Sequence, residues 1–260
     1  MSNKVAQRHD RILDALAYRS VSSVNALAKE MDVSVETIRK DLMVLMQKDL
    51  VIRIHGGVGL ANEKAGRKPR DVRKIENIEL KRAIAQKAVQ LVKPDATIII
   101  ENSTTTCEMA QALLNAPELL STLTIITNSF PICMLYEFGA LCKRLFFLGG
   151  LCSHTEQSTC GHYASKMMKS FHAQQSFISG AGISNSLSLM GYLEDDVVFQ
   201  TQAIECADEP VLLVDSTKFQ TDAWLTVSPL SAFTHIVTDL NREHPIAKRM
   251  LHAQFPIVFS

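Results

Sequence analysis

The residues best suited to hold a small anion fall in short polar clusters, each placed directly after an apolar run. Glu101, Asn102, Ser103, Thr104, Thr105 and Thr106 follow the run that begins at Ala96. Hydroxyls and backbone N–H groups at a helix start, with the helix dipole behind them, form a cradle for negative charge. Asn128 and Ser129, then Gly149 and Gly150, then Gly180, Ala181 and Gly182, and finally Asp215 to Lys218 stand in equivalent places after later apolar runs. A Ser/Thr-rich helix start alone is usually only a cap. Its repetition at four or five successive strand ends points to a ligand.

A second group of residues is suited to nucleic acid. Helical spacing over 34–47 puts Val35, Ile38, Leu42 and Leu45 on one stripe, with Ser34 as N-cap and Glu36 in the first turn. At about 100° per residue, the opposite face carries Glu36, Lys40, Met43 and Gln47, flanked by Thr37 and Arg39. A charged amphipathic helix does not by itself bind DNA, so the surroundings decide. Two shorter helices are expected before it, over 11–18 and 24–31, joined by turn chemistry at 20–23. Behind it, 49–59 reads as an apolar strand, a turn at Gly56 and Gly57, and a second strand, the pattern of a β-hairpin wing. Glycines there let backbone N–H groups approach phosphate closely.

The elements that must position the first group come later in the chain. Apolar runs at 96–101, 123–127, 144–148, 175–179, 210–214 and 235–238 predict strands. Helices are expected over 107–114, 131–138, 165–172 and 197–206. This alternation predicts an α/β domain with a mostly parallel, doubly wound sheet, in which ligands bind beyond the carboxyl ends of the strands. The chain thus divides into a winged helix-turn-helix over 1–60, a basic linker over 61–82 and an effector-sensing and oligomerisation domain over 83–260.

Composition supports that division. With 260 residues, 47% apolar and 21% charged, the chain can build two cores. Its 27 basic and 27 acidic residues cancel, but 1–82 holds 17 Lys/Arg against 11 Asp/Glu, and 83–260 holds 10 against 16. A basic head on an acidic body suits a head that meets phosphate. The six cysteines form no C-x-x-C pair, and neither they nor the histidines match zinc spacings, so reduced thiols with no metal and no cofactor are expected. The polar first residues and the lack of about 18 successive uncharged apolar residues predict no signal peptide, no membrane partner and a cytoplasmic location.

The run Val33-Ser-Val-Glu-Thr-Ile-Arg-Lys-Asp-Leu42, then Leu45, then Val51-Ile-Arg-Ile-His-Gly-Gly57, resembles the head of the DeoR family of bacterial sugar-metabolism regulators. That family usually writes V-S-x-x-T-I-R-R-D-L and R-x-H-G-G. Lys40 replaces the second Arg, keeping the charge and losing the bidentate fork, and Asp49 stands where a Gly is common. The body is similar to the family's sensor domain at Glu101–Thr106, Thr127–Ser129, Leu148–Gly150, the lone Gly161, Gly180–Ile183, Asp215–Phe219 and Val237–Asp239.

The resemblance implies a fold similar to ribose-5-phosphate isomerase and a phosphosugar effector held by the Thr loop and Lys218. It implies contact with an operator of double-stranded DNA through Ser20, Ser22, Ser34, Glu36, Thr37, Arg39 and Lys40, with Arg53, His55, Gly56 and Gly57 beside the backbone. Asp41 is expected to orient Arg39 or to cap locally. So short a recognition helix reads few base pairs, which calls for a homo-oligomer, a dimer or tetramer, on repeated half-sites. Two departures stand out. The family's Asp and Gly in the first loop are Glu101 and Ser103, and its Lys-Arg pair aligns with Gln200-Thr201, removing charge that would favour an anion.

The expected function is therefore a transcriptional repressor of carbohydrate genes, released by a phosphorylated sugar or related metabolite. Two alternatives stand beside it. One is a ligand-independent DNA-binding regulator with a vestigial pocket. The other is an isomerase-like enzyme, which would need carboxylates poised near substrate carbons; the loop 180–185 has none, leaving Glu101 and the run 194–196 as candidates.

Overall fold

The computed structural model describes residues 3–19, 22–48, 50–54, 57–60, 68–219 and 223–260. They form two compact units, Met1–Glu76 and Asn77–Ser260. The stretch 61–82, read from sequence as one linker, is not uniform. Its first seven residues lie outside the described set, a short helix falls in the first unit, and a long helix opens the second.

The first unit contains α1 (Asn3–Arg19), α2 (Val24–Met31), α3 (Val35–Gln47), β1 (Val51–Ile54), β2 (Gly57–Leu60) and α4 (Arg70–Ile75). Each central helix starts where a serine can stop the chain from extending further. Ser23 accepts from the Ala26 N–H, and Ser34 from the Thr37 N–H at 3.1 Å. Asp32 makes the turn between α2 and α3 in the left-handed region, φ 54°, a conformation its short polar side chain tolerates. Ile12 and Leu16 of α1, Leu27 of α2 and Ile38, Leu42 and Leu45 of α3 close one core, sealed by Val51 and Val58 of the hairpin.

The second unit opens with α5 (Ile78–Val89), β3 (Thr97–Ile100), α6 (Thr104–Leu113), α7 (Pro117–Thr122), β4 (Thr124–Thr127), α8 (Phe130–Leu135) and β5 (Arg144–Phe147). It continues with β6 (Leu151–Ser153), β7 (Ser158–Cys160), α9 (Gly161–Met168), β8 (Ala173–Ile178), β9 (Gly182–Ile183), β10 (Ser188–Gly191) and α10 (Glu194–Glu205). It ends with β11 (Ala207–Leu213), β12 (Leu225–Pro229), β13 (His235–Thr238), α11 (Pro245–His252) and β14 (Ile257–Phe259).

Seven of these strands form one parallel sheet in the order β14-β13-β11-β8-β3-β4-β5. Both faces are covered, which is why the central strands read as continuous apolar runs. Ile98 and Ile100 pack with Ile84 and Ala88 of α5 and Met109 and Leu113 of α6. Ile99 faces the other way, toward Met168 of α9, Phe199 and Ala203 of α10 and Met250 of α11.

From β3 the chain winds outward through β4 and β5, then returns to lay β8 on the opposite side of β3. The direction of winding therefore reverses between β3 and β8, and strand-end loops there part to leave a crevice. Two small antiparallel elements border the main sheet in sequence, the β6–β7 hairpin and a three-stranded sheet ordered β12-β10-β9. Among the described residues no helix is long and apolar enough to cross a membrane.

Candidate functional site

In the head, α3 turns outward the side chains that the helical spacing assigned. Glu36, Arg39, Lys40, Met43 and Gln47 are exposed and Thr37 is half-buried, while Ile38, Leu42 and Leu45 are buried. Ser34 both caps the helix and meets the Thr37 hydroxyl at 2.8 Å. Arg39 lies 3.4 Å from Glu36, an exposed pair worth little in water, so its donors are readily diverted to another acceptor.

Two expectations about the head are corrected. Asp41 is buried and points inward, away from Arg39. It takes a two-pronged contact from Arg8 at 2.5 and 3.0 Å and a third from His9 at 3.1 Å, tying α3 to α1. Ser22 is buried as well, and its N–H and carbonyl pair with Val58 of β2, both at 2.9 Å. It fastens the wing and leaves little surface for DNA. Arg53 is exposed on β1, and Gly57 opens β2; Ser20, His55 and Gly56 lie outside the described residues.

In the body, a small cleft open to solvent lies at the ends of β3 and β4, beside β7 and the start of α10, with free room for little more than a water molecule. Glu101 and Asn102, from the end of β3, and Asn128, from the end of β4, line it. Glu101 bridges the divide. One carboxylate oxygen accepts from the Ser179 N–H beyond β8 at 2.7 Å, and the other from the Gln200 amide at 2.6 Å, while Gln200 also donates to the Ser179 carbonyl at 3.0 Å. The two departures from the family pattern, at 101 and 200, are thus one contact: a buried carboxylate held by an amide.

The other predicted residues do not line the cleft and serve the local structure around it. Ser103 and Thr106 form a capping box at the start of α6, and Thr106 also donates to the Glu101 carbonyl at 2.5 Å. Thr104 and Thr105 are buried in the first turn. Ser129 caps α8, and Asn128 donates to the Thr159 carbonyl at 2.9 Å, drawing the β6–β7 hairpin over the cleft. Gly150 packs against Cys160 and Ala164, Gly149 faces open space, and Gly161 starts α9 at φ 80°. Gly180 permits Leu189 to approach, since a Cβ there would sit 2.3 Å from that side chain. Ala181 donates its N–H to Met190, and Gly182 lies in β9. Lys218 closes the 3-10 turn after β11, and the turn is capped by Asp215; it is not among the cleft-lining residues.

The cleft also contains residues that sequence reasoning did not assign to it: Ser158 and Cys160 of the hairpin, and Asp195, Asp196 and Phe199 of α10. The acidic run was visible, but as a candidate for isomerase-like chemistry; it also places favourable charge at the start of α10. Burial, then Asp195 and Asp196, push the Cys160 thiol up, so the local field is negative.

Comparison with known proteins agrees with both units. Residues 8–64 match the DeoR-like helix-turn-helix domain and residues 76–240 the DeoR C-terminal sensor domain. The uncharacterized HTH-type transcriptional regulator YgbI of Escherichia coli strain K12 is 32% identical over 237 residues, 90% of this chain and 89% of that protein. The glycerol-3-phosphate regulon repressor of the same strain is 28% identical over 239 residues, 91% of each. Ribose 5-phosphate isomerase A of Methanocaldococcus jannaschii overlaps 55% of each chain at 22% identity and a TM-score of 0.39, a likeness too low to speak to function. The matches span both units and most of the length, and the chain belongs to the DeoR family of DNA-binding transcriptional regulators.

Proposed function

We propose that this protein is a cytoplasmic repressor of carbohydrate-metabolism genes that leaves its operator when a small sugar-derived, phosphorylated metabolite binds at the strand-end loops after β3 and β4. The observation that carries the sensing half is the Glu101–Ser179–Gln200 bridge across the divide. A ligand bound beside that bridge contacts the loops after β3 and β4 and favours one arrangement of the strand ends over another. The phosphate is assigned to the start of α6, with Lys218 supplying positive charge. The relative that represses a glycerol-3-phosphate regulon supports the sign of the response.

In the head, Ser34, Thr37, Arg39 and Lys40 read the major groove, and Arg53 and Gly57 lie along the backbone. Two or more heads in a homo-oligomer give the specificity that one short helix lacks. The regulator reading is preferred to an isomerase-like one because the loop 180–185 carries no carboxylate and both oxygens of Glu101 are engaged as acceptors, leaving Asp195 and Asp196 as the cleft's other carboxylates; detectable turnover of a sugar phosphate would overturn it.

The test begins with a duplex selected from a random pool by the purified full-length protein. Fluorescence anisotropy on that duplex is then followed while phosphorylated and free sugars and polyols are added. The expected result is a 5- to 150-fold loss of affinity with one compound, the usual range of allosteric coupling. Lys218→Ala should bind the duplex normally and ignore the compound. If none of the compounds changes the affinity, the ligand-independent regulator replaces this reading.

A further inference from the structure

Most of the outward face of α3 is polar, and one residue at its middle is not. Met43 is 54% exposed. Among the described side chains of α1, α2 and α3 it is the one large apolar group more than a third exposed. Met46, three positions on, is half-buried against the head's core, whereas Met43 takes no part in that core. A solitary exposed apolar residue is ordinary on a protein surface, so its place on the helix decides what it means.

At about 100° per residue, Met43 falls between Arg39 and Lys40 when α3 is viewed end-on, one turn further along, and within about 20° of Glu36. Gln47 follows one turn later. All four of these neighbours are exposed. Met43 thus stands amid the surface that a helix-turn-helix turns toward the major groove. Two cations flanking an apolar group suit an anionic duplex and repel the same face of a second copy. Inside the major groove, thymine presents a methyl group at C5 that takes apolar side-chain contacts. Methionine, unbranched and polarizable, adapts to such a partner.

Resting on the reading above in which α3 enters the major groove, we propose that Met43 determines base specificity: its side chain packs on the 5-methyl group of a thymine within about two base pairs of the base met by Arg39. The rise along α3 from Arg39 to Met43 is about 6 Å and successive base pairs lie about 3.4 Å apart, which sets that spacing. The contact is apolar and releases no counterion. Arg39 and Lys40 therefore hold the helix on the duplex, and Met43 distinguishes thymine from cytosine, whose C5 carries no methyl.

The experiment uses the full chain and the duplex it selects from a random pool. Each thymine of that duplex is replaced in turn by deoxyuridine, which removes the methyl and keeps every hydrogen-bonding group, and affinity is followed by fluorescence anisotropy. At least one replacement should weaken the wild-type protein about fourfold, the contribution of one buried carbon. Met43→Ala should bind the thymine and deoxyuridine duplexes equally, with its melting midpoint and its slope of log affinity against log salt unchanged. Met43→Leu, which keeps an apolar end, should retain part of the thymine preference. A residue that served only the helix would move the midpoint and leave the deoxyuridine response in place. Indifference of the wild type to deoxyuridine at every position, or an undiminished response in Met43→Ala, overturns the inference; if Arg39→Ala still weakens binding, the groove reading survives that outcome. An Arg39→Ala protein that binds like the wild type, or a pool that yields no duplex, removes the groove reading and this inference together.

Discussion

Burial by itself would push the Asp41 carboxyl up, yet the hydrogen bonds from Arg8 and His9, with the Arg8 charge, hold it below its ordinary value. A folded pKa below the unfolded one means stability that is complete above the unfolded carboxyl value of about 3.9 and is lost as the pH falls through the folded value. Asp41→Asn should cost the head about 1–3 kcal/mol at neutral pH and flatten the acid limb of its stability. Urea titrations at pH 7 and pH 3, followed by circular dichroism, check both. Arg39 behaves differently: its exposed pair with Glu36 holds little, so Arg39→Ala should leave the melting midpoint in place and weaken operator binding by about 10- to 100-fold in an anisotropy assay. Arg39 was legible because surface position follows from helical spacing. Asp41 was not, because its partners lie 33 and 32 positions earlier, and the nearer Arg39 looked the more natural neighbour. The same limit hid the bridge between Glu101 and Gln200, 99 positions apart.

At the scale of elements, the wing depends on Ser22 as much as on its own turn, since the bridge to Val58 adds a third backbone segment beside β1 and β2. Arg53 rides on that wing with its side chain exposed. Arg53→Ala should weaken binding to selected and unselected duplexes alike, and lower the slope of log affinity against log salt by about one. In the body, Gly180→Ala forces a methyl into Leu189, itself fully buried in the second core. It should destabilise the unit by about 1–3 kcal/mol in a denaturant titration. The six apolar runs read as strands from sequence are six of the seven parallel strands; for the inner ones, burial on both faces writes an unbroken apolar signature, while the edge strand β5 is partly exposed. β14, Ile-Val-Phe, is too short a run to stand out at the end of the chain, and the pieces β6, β7, β9, β10 and β12 carry no such signature. They span two to five residues each, too few for a periodic pattern to register. The hairpin's Ser158 and Cys160 therefore joined the cleft unannounced.

For the whole molecule, the charge division between 1–82 and 83–260 means that salt acts chiefly on the head's encounter with DNA. The proposed oligomer should sediment as a dimer or larger at micromolar concentration, and a monomer there would leave each recognition helix with a single half-site. The reversal of winding at β3 also bears on how the protein is made. Ile98 pairs with Gln175 and Ile100 with Phe177, so one side of the central strand waits for a partner encoded far downstream. At about 5–20 residues per second, the ribosome needs roughly 4–15 s to deliver it. During that interval a strand of consecutive isoleucines offers a bare edge, the kind that nascent chains shield with chaperones. The head's core, by contrast, is complete once Val58 has emerged. Each new chain thus carries a finished DNA-reading surface while the domain that governs it is still being synthesised, and control by metabolite begins only with the release of the completed polypeptide.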